Sequence, residues 1–389
     1  MHKRNLSFKE IAVFLLLLFT VLSFTPAIIL DGGAYSMARI IVLVMLVLVS
    51  FITSAYNSLK NGFIRKVMFS IFVIGLMLLF FFPFNYHVSW TDLVILFISF
   101  WAMCVGYSCN LRKNLIAPII LFYGVITVAL GLATMLYFVG SLTMTDYMYM
   151  IDTKNMVGQI VATGAVGLTM ITFANKRVSL LKIILLLLAV LLVFLLRCRT
   201  ALVAYLLFVF YYLWKTVSVK EAIGITLLAL VFIGVFHAQI LSFFEDALVG
   251  NTDINNLDSL SAGRMERNIM GMEFFFSHPI FGELKTVSDL PNIHNYLIKR
   301  LAAYGVFSIP FFWIYFLYLI KLIRQWITID VKDINNTGAL MLIIPFFASL
   351  LEPLSPFGPG LVQIAPFFFY GLFLYNYKRP VVDRLSRYA

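Results

Sequence analysis

The chain has 389 residues, 62% of them hydrophobic and 12% charged, with a mean hydropathy of +0.97. A soluble domain carries about a quarter charged residues, so a surface that faces water all round is excluded and most of it must meet lipid. The formal charge of +11 does not point to nucleic acid, because the basic residues form no single patch or stripe and fall instead in short clusters between apolar runs.

A helix that crosses a hydrocarbon core about 30 Å thick needs roughly 20 apolar residues. Runs of this kind lie near 11–30, 37–56, 67–84, 92–109, 115–139, 156–174, 180–196, 200–214, 222–240, 296–320, 337–354 and 358–377. The first follows Lys3, Arg4 and Lys9, as a signal peptide would, but it is too long for one and no small-residue cleavage pattern follows Leu30. It is read as the first span. The expected fold class is all-α integral membrane, with about twelve transmembrane helices.

Lys and Arg favour cytoplasmic loops, and here they collect on alternate ones. One side holds Lys3/Arg4/Lys9, Lys60/Arg65/Lys66, Arg112/Lys113, Lys176/Arg177/Lys182, Lys215/Lys220, Lys321/Arg324/Lys332 and the C-terminal Lys378, Arg379, Arg384 and Arg387. The other holds mostly acids and neutral residues, among them Asp31, His87, Asp92, Asp146, Asp152 and Glu352. Both termini are therefore expected in the cytoplasm. The chain divides into residues 1–240 with nine spans, an outer loop over 241–295, and residues 296–389 with three spans and a cytoplasmic tail. Within the loop, Asp258 or Ser259 can cap a helix that runs through Arg264 to about Ser277, where Pro279 stops it. Met265, Ile269, Met272 and Phe276 give that helix an apolar face, and Arg264, Arg267 and Asn268 a polar one. Such a helix suits the outer mouth of a bundle or the membrane surface.

Cys104 and Cys109 lie in one apolar run and read as small buried hydrophobes, and Cys198 as a free thiol near the outer surface. No CxxC, HExxH or Walker-type pattern occurs, so no metal or cofactor is expected.

The informative residues are outer cations, which the positive-inside bias works against. They are Arg39, Lys154, Arg197, Arg199, Arg264, Arg267, Lys299 and Arg300, with His294 opening the tenth run. Singly, each has a structural reading. Arg39, Arg197 and Arg199 can snorkel to head groups, Arg264 and Arg267 can pair with loop acids, and a lone His294 is more often an interfacial residue. His237 and His278 read as structural. Together, guanidinium groups and a histidine on one face suit an anionic substrate, because arginine forms bidentate bonds to phosphate and histidine can take a proton from a hydroxyl. Glu352 is placed to pair with one of the arginines or to act as a base.

Three stretches resemble the bacterial O-antigen polymerase and O-antigen ligase superfamily. They are Arg199-Thr200-Ala201-Leu202 at the outer start of a helix, Ser261-Ala262-Gly263-Arg264 with Ser277-His278-Pro279-Ile280-Phe281-Gly282 bounding the loop helix, and His294-Asn295-Tyr296-Leu297 with Gly305 after it. Lys154-Asn155 before a helix with Gly158 is a further, weaker match. The resemblance implies a GT-C-like, metal-independent membrane glycosyltransferase. Its partners would be an undecaprenyl-pyrophosphate-linked oligosaccharide, membrane lipid and other polysaccharide-assembly proteins in the bacterial inner membrane, with no nucleic acid and no cofactor. By that analogy Arg199 and Arg264 bind the donor pyrophosphate, Arg264 also stabilises the charge that develops as it departs, and His294 positions or deprotonates the acceptor hydroxyl. Arg197, Lys299 and Arg300 carry no family role, and their placement alone makes them secondary phosphate contacts. Arg267 and Lys154 join the expected pyrophosphate-binding set.

The function expected is a polymerase that extends a surface polysaccharide on the periplasmic face. Its closest rival is a ligase that transfers glycan to lipid A core. Ligases often carry a second histidine where Asn292 stands, which favours the polymerase. A rival of another class is a flippase or transporter of lipid-linked sugar, which would place ionisable groups near the bilayer midplane.

Overall fold

The computed structural model describes residues 6–24, 32–82, 90–139, 154–174, 179–196, 198–218, 263–282 and 293–385. Among them every regular element is helical. In chain order these are α1 (Phe8–Leu22), α2 (Gly32–Thr53), α3 (Gly62–Phe81), α4 (Trp90–Ser108), α5 (Lys113–Val139), α6 (Lys154–Phe173) and α7 (Leu180–Leu195). There follow α8 (Arg199–Thr216), α9 (Arg264–Ser277), α10 (Tyr296–Tyr304), α11 (Ile309–Thr328), α12 (Thr337–Met341), α13 (Ile343–Ala348) and α14 (Ile364–Leu385). Local chemistry sets several starts. Ser7 and Glu10 form a capping box on α1, Asn61 caps α3, and Asn295 accepts from the N–H groups of Leu297 and Ile298 at 2.9 and 3.1 Å to open α10.

Five helical stretches among the described residues are long and apolar enough to cross a membrane: Gly62–Phe81, Trp90–Ser108, Lys113–Leu136, Asn155–Phe173 and Tyr296–Thr328. The last joins α10 and α11 through a 3-10 turn at Gly305–Ser308. Outward-facing positions are strongly apolar, with Phe51, Phe69, Phe210 and Trp214 each between 65% and 78% exposed. A soluble monomer rarely shows apolar patches beyond a few hundred Å², and such surface is stable only in lipid. The protein is thus α-helical and membrane-embedded. By contrast α6, rich in Gly, Ala and Thr, is buried over nearly its whole length between α5, α7 and α8. Small residues allow close helix approach where lipid supplies no hydrophobic drive, and Thr163 and Thr169 return their hydroxyls to the carbonyls of Gln159 and Ala165, one turn back, at 2.7 and 2.8 Å.

The runs at 337–354 and 358–377 do not form two continuous spans. Helix breaks at Leu342 between α12 and α13, ends at Ala348, and resumes at Ile364. Pro345 has no N–H for the carbonyl of Met341 and its ring crowds that turn, while Pro353, Pro356 and Pro359 keep the intervening chain out of helix. The irregular segment is held by buried amides: Gln363 Nε2 donates to Gln159 Oε1 at 3.1 Å and to the Gly358 carbonyl at 3.1 Å. The expected span at 222–240 lies outside the described residues.

Contacts define the two ends of the bundle. At one, the Arg112 guanidinium forks onto Glu10 at 2.7 and 2.5 Å, Lys9 Nζ reaches the Ser108 carbonyl and Lys215 Nζ the Ile327 carbonyl. The opposite end gathers the starts of α4, α6, α8 and α10 with α9 and the 349–363 segment.

Candidate functional site

The loop helix α9 carries Arg264, Arg267, Asn268 and Gly271 at spacings that share one face. This polar stripe turns inward, while Met265, Ile269 and Phe276 stand 50%, 52% and 71% exposed. The described helix starts at Arg264 with Gly263, whose φ is 72°, as its N-cap; the expected caps, Asp258 and Ser259, lie outside the described residues. Gly271 lets α9 approach α10, for a Cβ there would stand 2.7 Å from Ile293 Cδ1 and 3.0 Å from Ile298 Cγ2. The turn after α9 seats on Gly305, at φ 57°, where the Val306 N–H donates to the Pro279 carbonyl at 2.9 Å. These two contacts bring the arginine stripe onto the His294 segment.

Arg264 Nη2 pairs with Glu352 Oε1 at 3.1 Å, and Nη1 donates to Thr200 Oγ1 at 3.2 Å. Asn155 Nδ2 donates to the same carboxylate oxygen at 3.1 Å. Glu352, which follows the turn after α13, thereby ties α9 to α6, while Thr200 adds the start of α8. With side chains 20% and 12% exposed, Arg264 and Glu352 are shielded from bulk water yet reachable. Beside them Arg267 Nη1 lies 2.9 Å from His294 Nε2, and the His294 N–H donates to Asn268 Oδ1 at 3.2 Å.

The Arg267 contact determines the state of the imidazole. Arginine has only donors, so Nε2 accepts and the ring proton sits on Nδ1. That atom is buried and has no hydrogen-bond partner among the described residues. Burial, followed by the nearby charges of Arg264, Arg267 and Lys299, depresses the His294 pKa to about 4, so the ring is neutral at pH 7. It therefore keeps an N–H donor without a hydrogen-bond partner among the described residues, while its lone pair is held by arginine.

Of the remaining expected residues, Arg199 is the first residue of α8 and half-buried, directly before the Thr200 that receives Arg264. Lys154 opens α6 next to Asn155, and its side chain lies outside the described residues, as does Arg197 altogether. Arg300 is not a phosphate contact. It is 1% exposed, forms an ion pair with Asp92, and lies 5.0 Å from the ring centre of Tyr296 and 5.2 Å from that of Phe311. Tyr304 donates to the same Asp92 carboxylate at 2.8 Å. Tyr296, Arg300 and Tyr304 recur every four residues, so all three face inward along α10. Thr200 and Asn268 carried no site role in the sequence reading, where one stood only beside Arg199 and the other only on the polar face with Arg267. Asn155 and Glu352 sit 197 residues apart, and no local pattern links them.

Arginine donors, a neutral imidazole N–H and a carboxylate thus converge from separate stretches of chain. The set can bind a phosphate-bearing group and accept a proton nearby. Neither a protein-family model nor a curated protein matches this chain.

Proposed function

We propose that this protein is a membrane glycosyltransferase of the O-antigen polymerase and ligase type, acting as a polysaccharide polymerase. In this reading the chain has about twelve spans in a GT-C-like arrangement in the bacterial inner membrane. Its termini lie in the cytoplasm and its site on the periplasmic face. The observation that carries the reading is the meeting of Arg264, Arg267, His294 and Glu352 at the bundle end away from the main Lys and Arg clusters, the end that positive-inside bias assigns to the outside. The three ion pairs of the described residues each include one of the first three residues of a helix, which favours chemistry at a face over passage through the midplane.

The reaction joins an acceptor sugar hydroxyl to the anomeric carbon of a donor glycan. The new C–O bond forms as the bond from that carbon to the lipid pyrophosphate breaks, and the electron pair leaves with the pyrophosphate. Arg264, with Arg199 beside its Thr200 partner, meets the charge that grows on the leaving group. Arg264 can bridge the pyrophosphate and Glu352, which places the carboxylate to take the hydroxyl proton. His294, with its lone pair held by Arg267, positions the reactants through its Nδ1–H. Positioning of this kind fits its geometry better than deprotonation, because a base needs a free lone pair.

The test is glycan elongation by purified protein supplied with a synthetic lipid-pyrophosphate repeat unit and no lipid A core or added metal. Wild type is expected to make polymer, with Arg264→Ala reduced by about 10²–10³-fold, the usual effect of losing one donor to a developing oxyanion. Product only after lipid A core is added would make it a ligase. Movement of the lipid-linked unit across vesicles without any transfer would replace the enzyme reading with a transporter.

A further inference from the structure

At the basic end of the bundle, remote from the Arg264 cluster, α3 and α11 enclose a groove of about 400 Å³. Its apolar wall is a stripe of α11 in which Trp313, Phe316 and Ile320 recur every three to four residues and are 63%, 42% and 50% exposed. The same stripe continues into Lys321 and Arg324, and α3 contributes Phe63 and Lys66 across from them. Phe63 is held edge-on against Tyr318, with ring centres 5.2 Å apart, so that wall is preformed. None of the three cations belongs to an ion pair of the described residues.

From this arrangement we infer that the groove is a binding site for a membrane phospholipid with a net negative head group. The phosphate sits among Lys66, Lys321 and Arg324, and an acyl chain lies along Trp313, Phe316 and Ile320. Three like charges lining one groove repel each other and favour an anion between them. The aromatic stripe runs along the helix axis, as a chain does in a bilayer, and aromatic side chains suit the interface below the head groups. Basic pockets between helices on the cytoplasmic side are the usual receptors of anionic lipid heads. A soluble polyanion would leave the apolar wall bare, and a zwitterionic head would bring its own cation against the three already there. The inference does not depend on the glycosyltransferase reading.

Full-length protein in neutral detergent is titrated with phosphatidylglycerol or with phosphatidylcholine of the same chains, and binding is read by native mass spectrometry and thermal stability. Phosphatidylglycerol is expected to remain bound and raise the melting temperature, and phosphatidylcholine is not. Each cation removed in the series Lys66→Gln, Lys321→Gln, Arg324→Gln should weaken phosphatidylglycerol binding about fivefold, while Lys113→Gln, outside the groove, leaves it unchanged. Fluorescence provides a readout on unaltered cations: phosphatidylglycerol brominated on its chains should quench wild type and lose that part of its effect in Trp313→Phe. Equal binding of the two lipids, an unchanged affinity in the triple variant, or no Trp313 quenching would overturn the inference.

Discussion

His294 is half-buried with cations beside it, and burial first, then these charges, sets its response to pH. Its folded pKa of about 4 lies below the ordinary value near 6.5, so between these pH values the unfolded chain takes up a proton that the folded site refuses. Native stability from this group is therefore constant above about 6.5 and falls as the pH drops towards 4. For the same reason, kcat/KM should keep the neutral imidazole down to about pH 4 in wild type. Arg267→Met removes one of the charges and frees Nε2, and is expected to shift that acid limb upwards. Measured pH profiles of both proteins check this, and a wild-type limb near 6.5 would refute the buried, cationic environment. Arg264 and His294 were legible as candidates from the sequence because they break a charge rule or resemble a motif. Glu352 was legible as a partner for one of the arginines or a base, but which arginine it takes was not, since Arg264 and Asn155 are far from it in the chain.

At the scale of elements, α10 shows why an outer cation need not be functional. Its four-residue period turns Arg300 into the protein, where Asp92, Tyr304 and two aromatic faces surround it. Removing one member of a buried ion pair strands the other, typically at about 3–5 kcal/mol. Arg300→Met alone should therefore destabilise the protein by roughly that amount, whereas Arg300→Met with Asp92→Asn should recover most of it. Thermal unfolding in detergent compares the two, and equal losses would show that the pair is not the source of stability. The loop helix α9 has the reverse orientation to a soluble amphipathic helix, with its arginines inside and Met265, Ile269 and Phe276 outside. Periodicity revealed both faces but not which one the protein uses. The break between α12 and α13 was masked for a related reason, because hydropathy averages over Pro345 and registers only that the segment is apolar.

The whole molecule sorts its charges by end, and orientation follows from which end meets the cytoplasm. The three cysteines, Cys104, Cys109 and Cys198, are all buried, so introduced thiols can be labelled over a low background. Ser277→Cys, at the end of α9, is expected to react with a membrane-impermeant maleimide in intact cells, and Lys332→Cys, beyond α11, only after lysis. The reverse pattern would put the Arg264 cluster in the cytoplasm and remove the periplasmic reading.

Composition and hydropathy alone determined that this is an α-helical membrane protein, because lipid imposes one rule on every exposed position and that rule can be read residue by residue. The starts of α1, α3 and α10 are set locally by Ser7, Asn61 and Asn295, whose side chains cap their own helices, although hydropathy alone placed the first two runs at 11 and 67. What only the tertiary structure decided was partnership. It turned Arg300 into a structural ion and Arg267 into the holder of His294, and it seated Arg264 on Glu352 and Thr200. Each of these depends on which helix faces which and on glycines that let them approach. Such contacts join residues far apart in the chain, and no spacing along it encodes them.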